Sequence, residues 1–130
     1  MLKKLMPILL ALLMLTGCGF VLQPQQEGPY MNITAQQAKE LMDIETNYMI
    51  LDTRTREEYD QSHIPGALLI PHTEIAQRAA DELPDKDQVI LVYCRSGNRS
   101  KQASEVLVEL GYTNIKEFGG IIDWPYEVTE

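Results

Sequence analysis

Apolar positions recur along this chain in two rhythms, and the alternation between them predicts the elements. Ala38, Leu41 and Met42 recur at helical spacing up to Ile44, behind Thr34 and Gln37, which have the spacing of a capping box. Residues 48–52 (YMILD) are a short apolar run with a polar end, the pattern of a buried strand. Thr55 and Glu58 repeat the capping-box spacing and start a helical turn through Glu57, Glu58 and Tyr59. A turn at residues 64–67 (IPGA) leads into a second short strand, 68–70, stopped by Pro71. Residues 73–83 read as a helix ended by Pro84. Residues 89–93 (VILVY) form the clearest strand. In residues 100–110, the clearest helix, Ala103, Val106, Leu107 and Leu110 share one side and Gly111 is the C-cap. A last strand covers 115–118, and Gly119, Gly120 and a tail around Trp124 follow. Strands separated by helices predict an α/β fold, a small parallel sheet with helices on both faces. Ligands of such sheets sit beyond the carboxyl ends of the strands, where Asp52 and Cys94 stand.

The N-terminus breaks the alternation. Lys3 and Lys4 precede an apolar run, 5–15, and Thr16, Gly17 and Cys18 close it. Basic, apolar and small-residue regions in that order are the parts of an export signal, and eleven residues are too few to span a bilayer. Residues 15–18 (LTGC) resemble the lipobox of bacterial lipoproteins. That resemblance implies a signal peptide at 1–17 and a fatty-acylated, diacylglyceryl-bearing Cys18 as the first mature residue. It also implies a lipid anchor in the cell envelope, on a bacterial membrane and facing outside the cytoplasm. The alternative is an ordinary cleaved signal that leaves Cys18 free. Residues 18–32, with Pro24, Gly28, Pro29 and several glutamines, read as a tether, and 33–130 as the folded domain.

With 130 residues, 11 basic against 19 acidic and a formal charge of −8, the chain fits one domain and does not suit nucleic acid by bulk charge. Two cysteines and two histidines do not supply a four-ligand zinc site unless carboxylates join it, and their spacing does not suggest that. The chemistry concentrates between the best strand and the best helix, at Cys94, Arg95, Ser96, Gly97, Asn98 and Arg99. The first amides of a helix lack intrahelical acceptors, and the helix dipole adds positive potential there. Gly97 and Asn98 allow consecutive N–H groups to turn inward as an anion nest. Such a nest lowers the pKa of a cysteine at its mouth and prepares it as a nucleophile toward an anion.

The segment from Cys94 to Ser100 resembles the active-site loop of the single-domain rhodaneses. Leu51-Asp52-Thr53-Arg54 with Glu57, Glu58 and Tyr59, then His63-Ile64-Pro65-Gly66-Ala67, and Gly119-Gly120 with Trp124 are similar to three further motifs of that family, in order. Ser62 stands where the family usually has glycine, and Thr53 where valine is common. The resemblance implies a rhodanese-like three-layer fold and a sulfurtransferase that needs no metal or organic cofactor. Cys94 would take a sulfane sulfur from a small anionic donor such as thiosulfate, hold it as a persulfide and pass it to a thiol or protein acceptor. Arg95 would bind the donor, and Arg99 would share that task or brace the loop. A non-catalytic sulfur carrier or redox-partner module using the same loop is the alternative reading. Cysteine phosphatases space the nucleophile and arginine as Cys-x5-Arg. Here the sixth position after Cys94 is Ser100, so a phosphatase is disfavoured. Arg54 is expected to pair with Glu57 or Glu58, His63 to bond backbone, and Trp124 to anchor the tail.

Overall fold

The computed structural model describes residues 29–130. The expected signal peptide, Cys18 and the expected tether up to residue 28 lie outside the described residues. Five strands form one parallel sheet in the order β1-β5-β4-β2-β3: β1 Met31–Asn32, β2 Tyr48–Asp52, β3 Leu68–Leu69, β4 Val89–Cys94 and β5 Ile115–Gly120. Helices α1 (Ala35–Ile44), α2 (Arg56–Gln61), α3 (Ile75–Glu82) and α4 (Asn98–Glu109) make the crossovers that parallel pairing requires.

The central strand fixes both faces. Ile90 and Val92 of β4 pack with Ile75 and Ala79 of α3 and Ala103 and Leu107 of α4. Leu91 and Tyr93 point the other way, into a cluster with Ala38 of α1, Ile64, Phe118 and Trp124. Side chains alternate along a strand, so Cys94 falls in phase with Ile90 and Val92, on the face that α4 covers.

Local chemistry sets the helix ends. Both expected capping boxes form: Thr34 Oγ1 accepts from the Gln37 N–H at 3.0 Å, and Thr55 Oγ1 from the Glu58 N–H at 3.2 Å. Helix α4 ends in a Schellman motif, with Gly111 at φ +96° and Tyr112 N–H donating to Leu107 O.

Several boundaries move. Met31 and Asn32 pair with Lys116 and Glu117 of β5, and Tyr30 is buried, so the folded unit begins ahead of residue 33 and the expected tether of 18–32 is too long at its end. Two residues are too few to show alternation, which hides β1 in the sequence. The helix expected over 73–83 is a 3-10 turn, His72–Glu74, followed by α3. Leu83 leaves helical geometry because Pro84 follows it. Helix α4 starts at Asn98, two residues early, and β5 runs on to Gly120.

Arg54 also differs from expectation. It is buried and pairs with Asp52, Nη2 to Oδ2 at 2.7 Å, while also donating to Ser62 O at 2.6 Å. Tyr93 Oη donates to the same Asp52 oxygen and accepts from the Ile64 N–H. Burial, then the Asp52 charge, pushes the Tyr93 phenol well above its usual range. Asp52 is fully enclosed by this network. Losing one partner of such a buried pair costs about 3–5 kcal/mol. The network ties β2 and β4 to the turn before β3. His63 bonds Tyr59 O through Nδ1 at 2.8 Å and stacks on the Tyr59 ring. Trp124 is buried against Phe118 and Tyr126.

Candidate active site

Cys94 is the last residue of β4, and the chain turns there into α4. Its thiol is buried, with only 1% of the residue exposed. Gly97 makes the turn possible: it caps α4 at φ +113°, a left-handed conformation that favours glycine. That turn aims the Gly97 N–H at Cys94 Sγ, 2.9 Å away. Ser100, in the first turn of α4, places Oγ 3.4 Å from the same sulfur. Burial by itself pushes the thiol pKa up. The Ser100 hydroxyl and the N–H groups of Ser100, Gly97 and Ser96 outweigh it, and the net shift is downward. The amides at this turn therefore favour a thiolate, but the left-handed turn belongs to Gly97 alone, since Asn98, also expected to shape the nest, is already helical.

A second glycine makes room for the loop. A Cβ on Gly120 would lie 1.9 Å from the Arg95 carbonyl oxygen, so only a bare backbone at the end of β5 lets the loop pass this close. The Ile122 N–H then donates to Arg95 O at 3.3 Å and fastens the loop to the tail.

The two loop arginines have separate environments. Arg99 is partly buried and grips Glu58 of α2 with both terminal nitrogens, at 2.6 and 2.9 Å. The Arg99 guanidinium, helped by the Thr55 cap, holds the Glu58 carboxyl at about 2, against an ordinary 4.5. This geometry makes Arg99 a brace between α4 and α2. Arg95 is exposed at the loop mouth and makes no ion pair among the described residues. Ser96 and Asn98 are exposed beside it. No cluster of His, Cys, Asp and Glu among the described residues could hold a metal ion.

Sequence reasoning missed four contributors. Glu58 was legible as a cap and as a candidate partner of Arg54 but not of Arg99, Ser100 only as the end of a motif, and Gly120 only as half of a glycine pair. The fourth, Glu117, is a buried carboxylate on β5, and its Oε1 accepts from Ser100 Oγ at 2.7 Å and from the Gly119 N–H at 2.8 Å. A signal existed: Glu117 stands in phase with buried Ile115, where a strand pattern wants an apolar residue.

Comparison with known proteins gives one answer. Residues 34–125 match the family model for the rhodanese-like domain. A thiosulfate sulfurtransferase of Escherichia coli is 44% identical over 73 residues, covering 56% of this chain and 70% of that protein. A sulfurtransferase of Allochromatium vinosum is 43% identical over 77 residues, covering 58% and 70%. Other relatives are longer, and the chain spans 49% of one and 22% of another. Among solved structures, a rhodanese with anions from E. coli superposes with a TM-score of 0.61 at 38% identity, covering 64% of this chain and 98% of that one.

The Arg99–Glu58 brace has a pH signature. A carboxyl held low in the folded state stabilises the protein at pH above its unfolded value, and that contribution fades as pH falls from about 4.5 to about 2. Glu58→Gln is therefore expected to lower stability at neutral pH by about 1–2 kcal/mol, allowing for the pair's contact with water. Urea midpoints of the two proteins should converge as the pH falls through that window.

Proposed function

The chain belongs to the rhodanese-like domain family and is a rhodanese-like transferase; from that premise we propose that it moves a sulfane sulfur through a persulfide on Cys94. The observation that carries this reading is the buried sulfur facing the Gly97 N–H at 2.9 Å, with the Ser96 and Ser100 amides also favouring its anionic form. In the first half-reaction the Cys94 thiolate attacks the outer sulfur of thiosulfate. A new S–S bond forms, the old one breaks, and sulfite leaves with the electron pair. In the second, a thiophilic acceptor such as cyanide, a thiol or a protein thiol attacks the outer sulfur, and the thiolate is released. Both the resting thiolate and the persulfide carry negative charge next to the same amides, so the loop need not rearrange between halves. Arg95 is the exposed cation at the mouth and suits the dianionic donor, while Arg99 is committed to Glu58.

The N-terminal sequence supports a location for this chemistry. Residues 1–17 act as a lipoprotein signal, and Cys18 carries the lipid that anchors the domain at a bacterial membrane, outside the cytoplasm. Among the described residues no helix is long and apolar enough to cross a membrane.

Thiocyanate formation from thiosulfate and cyanide tests the transfer. Cys94→Ser is expected to abolish it. Arg95→Ala is expected to raise KM for thiosulfate by about tenfold, with a smaller effect on turnover, as expected for loss of one charge-assisted contact. Equal activity of wild type and Cys94→Ser would overturn the reading. Location has its own test, metabolic labelling with a radioactive fatty acid: wild type should take up label and Cys18→Ala should not. An unlabelled wild-type protein would refute the anchor.

A further inference from the structure

The Ser100 hydroxyl owns one proton and lies among four acceptors. Its Oγ is 2.7 Å from Glu117 Oε1, 2.9 Å from Gly97 O, 3.4 Å from Gly119 O and 3.4 Å from Cys94 Sγ. It also accepts nothing else that would fix its orientation among the described contacts. The nearest acceptor is a carboxylate that is itself 98% shielded from water, since Glu117 is only 2% exposed. An ionised Glu117 draws the hydroxyl proton to itself and turns an oxygen lone pair toward the sulfur. A neutral Glu117 leaves the proton free to face the sulfur instead. Two buried acids bridged by one hydroxyl do not both ionise cheaply, because each charge disfavours the other in a site with little water.

We propose that Cys94 and Glu117 share a single negative charge across the Ser100 hydroxyl, so that Glu117 is the positioning residue that takes up the thiol proton when the sulfur becomes anionic. In this exchange the S–H proton passes to Ser100 Oγ as the hydroxyl's own proton passes to Glu117. Thiol, hydroxyl and carboxylate become thiolate, hydroxyl and carboxylic acid. No proton leaves the protein and the net charge is unchanged. The attacking form is thus produced inside a site that water does not reach, and the acid returns its proton whenever the thiol is restored.

The surroundings leave this exchange to the three groups. Glu117 sits between β1 and β4, opposite Asn32 and Val92. Titratable groups coupled to the site from other elements are Tyr30, ahead of β1, which feels the charges of Glu105 and Glu117, and Arg99 on α4, which feels Cys94. Burial, followed by the charges of Glu105 and Glu117, pushes the Tyr30 phenol up, so it stays neutral. Arg99 is turned to Glu58. The Gly119 N–H holds Oε1 in place in either state.

The inference rests on Cys94 being the nucleophile, and its test needs no sulfur donor. The rate at which iodoacetamide alkylates Cys94, followed by the mass of the peptide that carries it, is measured against pH in the full chain. Glu117→Gln keeps the acceptor for Ser100 and Gly119 but removes the competing charge. Its alkylation midpoint is expected to fall by about one pH unit. The same substitution in a Ser100→Ala background is expected to shift the midpoint much less, because the bridge is gone. An unchanged or raised midpoint in folded Glu117→Gln, or an equal fall with and without Ser100, overturns the proposal. Should that variant fail to fold, the unaltered protein decides. Alkylation of Cys94 turns the charged sulfur into a neutral thioether, so the infrared difference spectrum of alkylated minus unaltered protein at neutral pH should lose one protonated-carboxyl band, and absence of that loss overturns the proposal. Absence of thiosulfate activity in the unaltered protein, alongside the expected shift, would count against the proposed reaction only.

Discussion

Gly97 N–H points at Cys94 Sγ from 2.9 Å, and most of the features around the site serve to hold that one donor and its neighbours in place. A sulfur buried at the end of a parallel strand has lost water and is poorly placed to carry charge. Peptide dipoles that converge on it reverse that preference, and the thiol pKa falls in spite of burial. Convergence demands a left-handed residue at the start of α4, hence Gly97 at φ +113°. It also demands that β5 pass beneath the loop with no side chain, hence Gly120, where a Cβ would meet the Arg95 carbonyl at 1.9 Å.

The supports come from distant parts of the chain. The strand that ends in Cys94 is set by hydrophobic packing on both faces and by the Asp52–Arg54–Tyr93 network at its C-terminal end. The helix that begins beyond the loop is pinned to α2 by Arg99 and Glu58 and to β5 by Ser100 and Glu117. Among the described residues Arg95 is exposed and stands outside the ion pairs, in the loop proposed to accept an anionic donor. Two of the acidic residues are paired within the scaffold: Glu58 with Arg99, and Asp52 with Arg54.

Much of the architecture was legible because it is written in local patterns. The capping boxes at Thr34 and Thr55, the apolar run of β4 and the glycine after α4 each act within a few residues, and each formed as expected. What was illegible depends on contacts between positions far apart in sequence. β1 has two residues and exists only because β5 offers it a free edge. Arg54 was expected to seek an acid on the following helix, but it turned back to Asp52, whose side chain the sheet buries beside it. Whether Arg99 faced the donor or the scaffold depended on Glu58, 41 positions earlier. Glu117 was the hardest to foresee, because a charged residue in a strand reads as a surface position until a partner such as Ser100 is placed above it.

The account stands on the claim that this sulfur accepts and keeps one more sulfur atom. Incubating the protein with thiosulfate, digesting it and weighing the peptide that contains Cys94 tests this most directly. The expected result is a gain of one sulfur atom on Cys94 alone, removed again by cyanide. An unchanged Cys94 peptide under conditions that leave the protein folded would contradict the account.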